Sequence, residues 1–207
     1  MNMHHPPQQD RSRRTEQRLL QATLALLQEG GLGACTVPAV AERAGVAVGS
    51  VYRRYPDKQA MVSAAILALA SVPDEAVDQY AAIVVEAADL EDFLSRLTLS
   101  TIKASLQNRT LLVAIREFVR STTDEVWLAE YRRLHGRART VILAAAVERF
   151  GPEISEGEPA LRLSVATIYG TVAAVFTEPQ PGLFVETPTP EKFAAEMGRM
   201  QARYLRA

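Results

Sequence analysis

Between Thr36 and Lys58 the chain reads TVPAVAERAGVAVGSVYRRYPDK, and two breakers inside that stretch restrict its folding more than any other feature. Thr36 is a good helix N-cap, and Pro38 sits in the first turn, where a missing N–H costs nothing. Val37, Val40, Ala41 and Ala44 recur at three- and four-residue spacing and mark one apolar face. Gly45 ends this helix, because glycine alone enters a left-handed C-terminal conformation without a Cβ penalty. Val46 follows as an apolar plug. A second helix begins near Ala47 and stops before Pro56, which cannot continue it. Val51 and Tyr55, four residues apart, point together into a small core. The spacing therefore predicts a helix-turn-helix over about residues 36–55.

The face opposite Val51 and Tyr55 carries Gly49, Ser50 and Arg53, with Tyr52 and Arg54 on its flanks. Gly49 lets a phosphate or base edge approach the backbone. Ser50 and Tyr52 can donate to phosphate oxygens, and Arg53 or Arg54 can pair with phosphate or reach guanine O6 and N7. Asp57 is the expected N-cap of the next helix. Lys58 would sit at its start, adding charge to an end already suited to anions. These residue types at these offsets are those of a DNA-facing helix.

From about Arg14 to Ile66 the chain resembles the head of TetR/AcrR-type transcription regulators. The matching residues are Thr36, Ala41…Ala44-Gly45-Val46, Gly49-Ser50-Val51-Tyr52 and Tyr55-Pro56-Asp57-Lys58, with Leu19, Leu20, Ala22, Thr23, Leu26 and Leu27 in register before Gly30-Gly31. The resemblance implies that Thr36, Val48, Gly49, Ser50, Tyr52, Arg53, Arg54 and Lys58 face DNA. It departs from the family at Ala47-Val48, where many members have a polar or basic pair. Either a phosphate or base partner is missing there or Val48 packs on a thymine methyl.

Charge distribution agrees with this placement. The whole chain has a net charge of −1, yet residues 1–60 hold eight basic and five acidic side chains. Residues 1–10 are polar and Pro-rich, and are expected to form a disordered tail. Arg11, Arg13 and Arg14 follow, as either an arm that touches phosphates or a minor groove or a solvated basic stretch. The expected division is the tail at 1–10, the helix-turn-helix domain at 11–57 and a ligand-binding and dimerisation domain at 58–207.

Cys35 is the sole cysteine and the histidines are His4, His5 and His135, so neither a disulfide framework nor zinc-ligand spacing is present. No phosphate-binding Gly-rich loop or nucleophile elbow occurs. We expect no catalysis, no cofactor and no metal. The longest charge-free runs, Gln59–Pro73 and Leu163–Thr177, fall short of the ~18 apolar residues of a membrane span. A cytoplasmic protein without membrane contact is expected.

Beyond the head, helical patterns separated by breakers predict an all-α body, with helices at Lys58–Ser71, Asp74–Ala88, Leu90–Leu106, Asn108–Arg120, Asp124–Phe150, Pro159–Thr177 and Glu191–Arg206. The Leu163–Thr177 helix is apolar all round and must be covered all round. Ala166, Gly170, Ala173 and Ala174 are small enough for close helix approach. With Phe193, Met197 and Tyr204 of the last helix they resemble the pair of helices that dimerise TetR-type regulators. Trp127 and Tyr131, with Thr98, Thr101 and Tyr169, could line a mostly apolar ligand site; aromatics at helical spacing also read as plain core, and the hydroxyls as bonded to their own helix. The expected whole is a homodimeric repressor on a palindromic double-stranded DNA operator, released by a small-molecule effector. The alternative is a helical carrier or sensor without DNA binding.

Overall fold

The computed structural model describes residues 7–71, 81–178, 186 and 188–207, with backbone alone at 7–10. Among them every regular element is helical: α1 (Pro7–Ala34), α2 (Val37–Ala44), α3 (Val48–Tyr52), α4 (Lys58–Ala70), α5 (Leu90–Gln107), α6 (Arg109–Ser121), α7 (Glu125–Phe150), α8 (Gly157–Val172) and α9 (Pro190–Arg206). Residues 81–86 are also helical. The rest of the expected helix at Asp74–Ala88, and most of the Pro-rich segment before α9, lie outside the described residues.

The chain folds as two compact units. The first comprises residues 1–71 and 110–134, the second residues 72–109 and 135–207. The first unit thus takes in more than the expected head at 11–57. Met61, Val62 and Ile66 of α4 are buried in the same cluster as Leu19, Leu27, Val40 and Val51. Phe118 and Trp127 join that cluster, so the core of the first unit includes segments distant in sequence from its N-terminal helices. Helix α1 begins at Pro7, so residues 7–10 are helical rather than tail; residues 1–6 lie outside the described residues. Its regular course breaks at Gly30 and Gly31, where Gly31 has φ +66°.

In the second unit α9 lies along α5, and α8 packs on both. Asp89 caps α5 by accepting from the Asp92 N–H at 2.9 Å, and Asp92 Oδ2 accepts in return from the Ala88 N–H at 2.9 Å. Phe93 stacks on Phe150, and Phe176 meets Phe193 edge to face, each pair between 5 and 6 Å apart at the centroids. Helix α8 ends in a wider π turn at Ala173–Thr177, where the Glu178 N–H reaches back to Ala173 O at 2.8 Å. Together Gly157–Thr177 is long and apolar enough to cross a membrane by composition. Half of its apolar stretch is nevertheless buried inside the unit, as in a core helix.

Candidate nucleic-acid interface

Helix α3 is a stub of five residues, too short to hold itself together, so its flanks must fix it. On the α2 side, Thr36 Oγ1 accepts from the Ala39 N–H at 3.3 Å. Gly45 at φ +61° donates to Ala41 and Glu42 carbonyls, and the Val46 N–H donates to Ala41 O at 2.9 Å. A Cβ at Gly45 would stand 2.8 Å from the Arg18 guanidinium, which donates to the carbonyls of Ala44 and Gly45. That cation meets the negative end of α2. Val51 is fully buried and Tyr55 nearly so, as their spacing predicts. Burial pushes the Tyr55 phenol up from its usual pKa, with the Glu16 charge adding to the effect. On the other side Asp57 caps α4, accepting from the Ala60 N–H at 2.8 Å.

What remains outward on α3 is the expected face. Val48, Gly49, Tyr52 and Arg53 are exposed, and Ser50 is half-buried. Arg53 Nη2 donates to Ser50 Oγ at 2.8 Å, so one cation and one hydroxyl are presented together. The remaining two cations are engaged within the chain. Arg54 Nη2 donates to the carbonyl and hydroxyl of Ser12 on α1, at 2.9 and 2.7 Å. Lys58 Nζ donates to Leu32 O at 2.6 Å, beyond the Gly30–Gly31 break. An ammonium at a helix N-terminus is unfavourable against the dipole, and an orphan carbonyl near the end of α1 is the partner that relieves it. Ser12 carries no sequence signal for its part, because it meets Arg54 across 42 residues.

Residues 19–65 match the model of the family described as bacterial regulatory proteins, tetR family. Over this stretch the head is TetR-like. Two relatives agree with it over that region. The HTH-type transcriptional repressor KstR of Mycolicibacterium smegmatis is 46% identical over 54 residues, 26% of each chain. The KstR of Rhodococcus jostii is 51% identical over 49 residues, 24% of this chain and 23% of that one. The chain thus matches about a quarter of the length of these relatives. The TetR-like fold extends further. The transcriptional regulator FadR from Bacillus subtilis, solved in complex with stearoyl-CoA, superposes with a TM-score of 0.62 at 15% identity, covering 90% of this chain and 97% of that one.

Behind the TetR-type head, the residues expected to line a ligand site divide between the two units. Trp127 is buried in the first, stacked on Tyr131 at 5.3 Å, edge-on to Phe118, and donating its indole N–H to Ser63 O at 3.2 Å. It is core of the first unit. Thr98 and Thr101 belong to the second unit, where their hydroxyls donate to Leu94 and Leu97 carbonyls at 2.7 Å. That back-bonding leaves each hydroxyl proton committed to its own helix. Tyr169 lies beneath the Arg139 guanidinium, 4.9 Å from ring centroid to carbon.

The expected dimer stripe needs a correction on α9. Phe193 and Met197 are buried within their own unit, Phe193 against Phe176. The packing of α9 on α5 sets this phase, since buried Gly198 allows that approach. The outward residues include Leu163, Ala166 and Gly170 on α8, and Met200 and Tyr204 on α9. Ala173 and Ala174 are half-buried in the π turn. Leu163 and Met200 were legible as exposed apolar positions only once the inward face of each helix was known.

Proposed function

We propose that this protein is a DNA-binding transcription regulator, a homodimeric repressor that leaves a palindromic operator when a small molecule binds its body. The carrying observation is the outward face of α3. Gly49, Ser50, Tyr52 and Arg53 are presented on a stub held by a cap or turn at each end. Such a stub docks into a major groove with its polar side chains on phosphates and base edges. The match to the KstR repressors over this region supports repression. The TetR-like fold shared with a FadR solved with stearoyl-CoA supports a small-molecule effector. Exposed Leu163, Met200 and Tyr204, with small Ala166 and Gly170 beside them, support a second copy as the partner of α8 and α9. This reading places the protein in the cytoplasm and gives it no catalytic step.

The test is a mobility shift of the full chain on duplex DNA flanking its own coding region, with Tyr52→Phe and Arg53→Ala beside it. Binding by the wild type and weaker binding by both variants, at unchanged helical content, is expected. Equal affinity of all three chains would remove α3 as the docking face.

A further inference from the structure

We infer that the basic first turns of α1 form a second DNA-contacting element, and that Arg54 acts by clipping that element to α3 rather than by touching DNA. The inference rests on the reading of the head as a DNA binder and adds a second surface to it. Arg54 follows Arg53, the outward cation of α3, yet its guanidinium turns to Ser12 and makes two bonds there, to the carbonyl and the hydroxyl. Consecutive residues of a helix point about 100° apart. With Ser12 turned to α3, Arg11 and Arg13 therefore stand on either side of the clip, while Arg14, about 200° around from Ser12, faces away from α3.

All three arginines are exposed, and among the described residues none makes an ion pair or side-chain hydrogen bond. Two acids lie near them in the same helix: Asp10, whose side chain lies outside the described residues, and Glu16, which is exposed and pairs with none of them. Arg54 itself is bonded only to neutral oxygens. Three guanidinium groups, those of Arg11, Arg13 and Arg54, are thus gathered about the clip, and among the described residues no acid pairs with them. Their mutual repulsion is relieved by a polyanion lying beside them, and the phosphates flanking the bases read by α3 supply one. Both bonds come from one nitrogen, Nη2, which spends its two N–H groups on the two oxygens of Ser12.

The experiment uses the full chain and a duplex selected with it in vitro from random-sequence DNA; failure to select any duplex would overturn the reading of the head itself. Affinity is then measured against salt for the wild type, for Arg11→Gln/Arg13→Gln/Arg14→Gln, for Arg54→Gln and for the combined variant. The triple variant is expected to reduce the slope of log K by about two per bound head, near 0.9 for each phosphate no longer neutralised, and to shorten the protected footprint. Arg54→Gln is expected to weaken binding about fivefold in the wild-type background and hardly at all in the triple variant, which is the coupling of residues acting through one another. Ser12→Ala removes only an acceptor of the clip, so it repeats the comparison should an Arg54 variant fail to fold. An unchanged slope in the triple variant would reduce the arm to a solvated turn. Equal losses from Arg54→Gln in both backgrounds would make Arg54 a direct phosphate ligand and overturn the clip.

Discussion

At the scale of single residues, caps carry much of the local order, and two of them give measurable outcomes. Thr36 supplies the N-cap acceptor of α2, an eight-residue helix with little cooperativity of its own. Thr36→Ala is expected to lower stability to urea by about 1 kcal/mol while the fold is retained; a denaturation midpoint equal to wild type would show that the cap contributes nothing. Asp92 gives a pH signature. The backbone N–H of Ala88, and then the Arg96 guanidinium, hold its carboxyl below the usual Asp value. The folded chain therefore binds this proton less readily than the unfolded chain. The stabilisation is fully present above the ordinary Asp pKa of about 3.9 and is lost as pH falls through that value to the lower folded one. Asp92→Asn should thus be less stable than wild type at neutral pH, and the two urea midpoints should converge below about pH 3. A gap that persists undiminished in acid would mean that the charge of Asp92 has no part in it.

Between helices, α9 packs tightly on α5 at Gly198. A Cβ built there would lie 2.0 Å from Ser95 Oγ, 2.8 Å from the Ser95 nitrogen and 2.9 Å from Glu91 O. The hydroxyl could rotate away, but the two backbone atoms cannot. Gly198→Ala should therefore force the helices apart and cost about 1–3 kcal/mol, as overpacking does. Adding Ser95→Ala should recover only a small part, since the backbone clash remains; full recovery in a thermal melt would show that the hydroxyl alone limited the approach. The same close packing explains why helix periodicity misassigns the dimer stripe. Periodicity finds the right apolar residues on α9, but it cannot say that Phe193 and Met197 face their own unit while Met200 and Tyr204 face out. That phase is set by a glycine whose neighbour lies about a hundred residues away.

For the molecule as a whole, the proposed assembly can be separated from folding. Gly170 is exposed, and a Cβ there meets nothing within 4 Å, so an arginine has room within its own chain. Gly170→Arg should melt like wild type yet convert a dimer to a monomer, because a charge buried without a partner in a helix–helix seam costs several kcal/mol. A monomer reads one half-site, so affinity for a palindrome should collapse while weak binding to a single half-site survives. Sedimentation that reports a wild-type monomer at micromolar concentration would remove the dimer; an undiminished dimer in Gly170→Arg would move the seam off this face of α8.

By itself the sequence determined the all-helical class, the limits of α2, the break at Gly30-Gly31, the Asp57 cap and the outward set Gly49, Ser50, Tyr52 and Arg53. All of these depend on interactions within a few residues, where propensity, capping and glycine stereochemistry are decided. Tertiary structure decided the rest. It drew α4, Phe118 and Trp127 into the core beneath the head, turned Arg54 to Ser12 and Lys58 to Leu32 O, and faced Phe193 and Met197 inward. Each of these joins residues more than twenty positions apart, or follows from a neighbour that does. Which apolar stripe finds which partner, and which carbonyl is left for a cation, are settled only when whole helices pack.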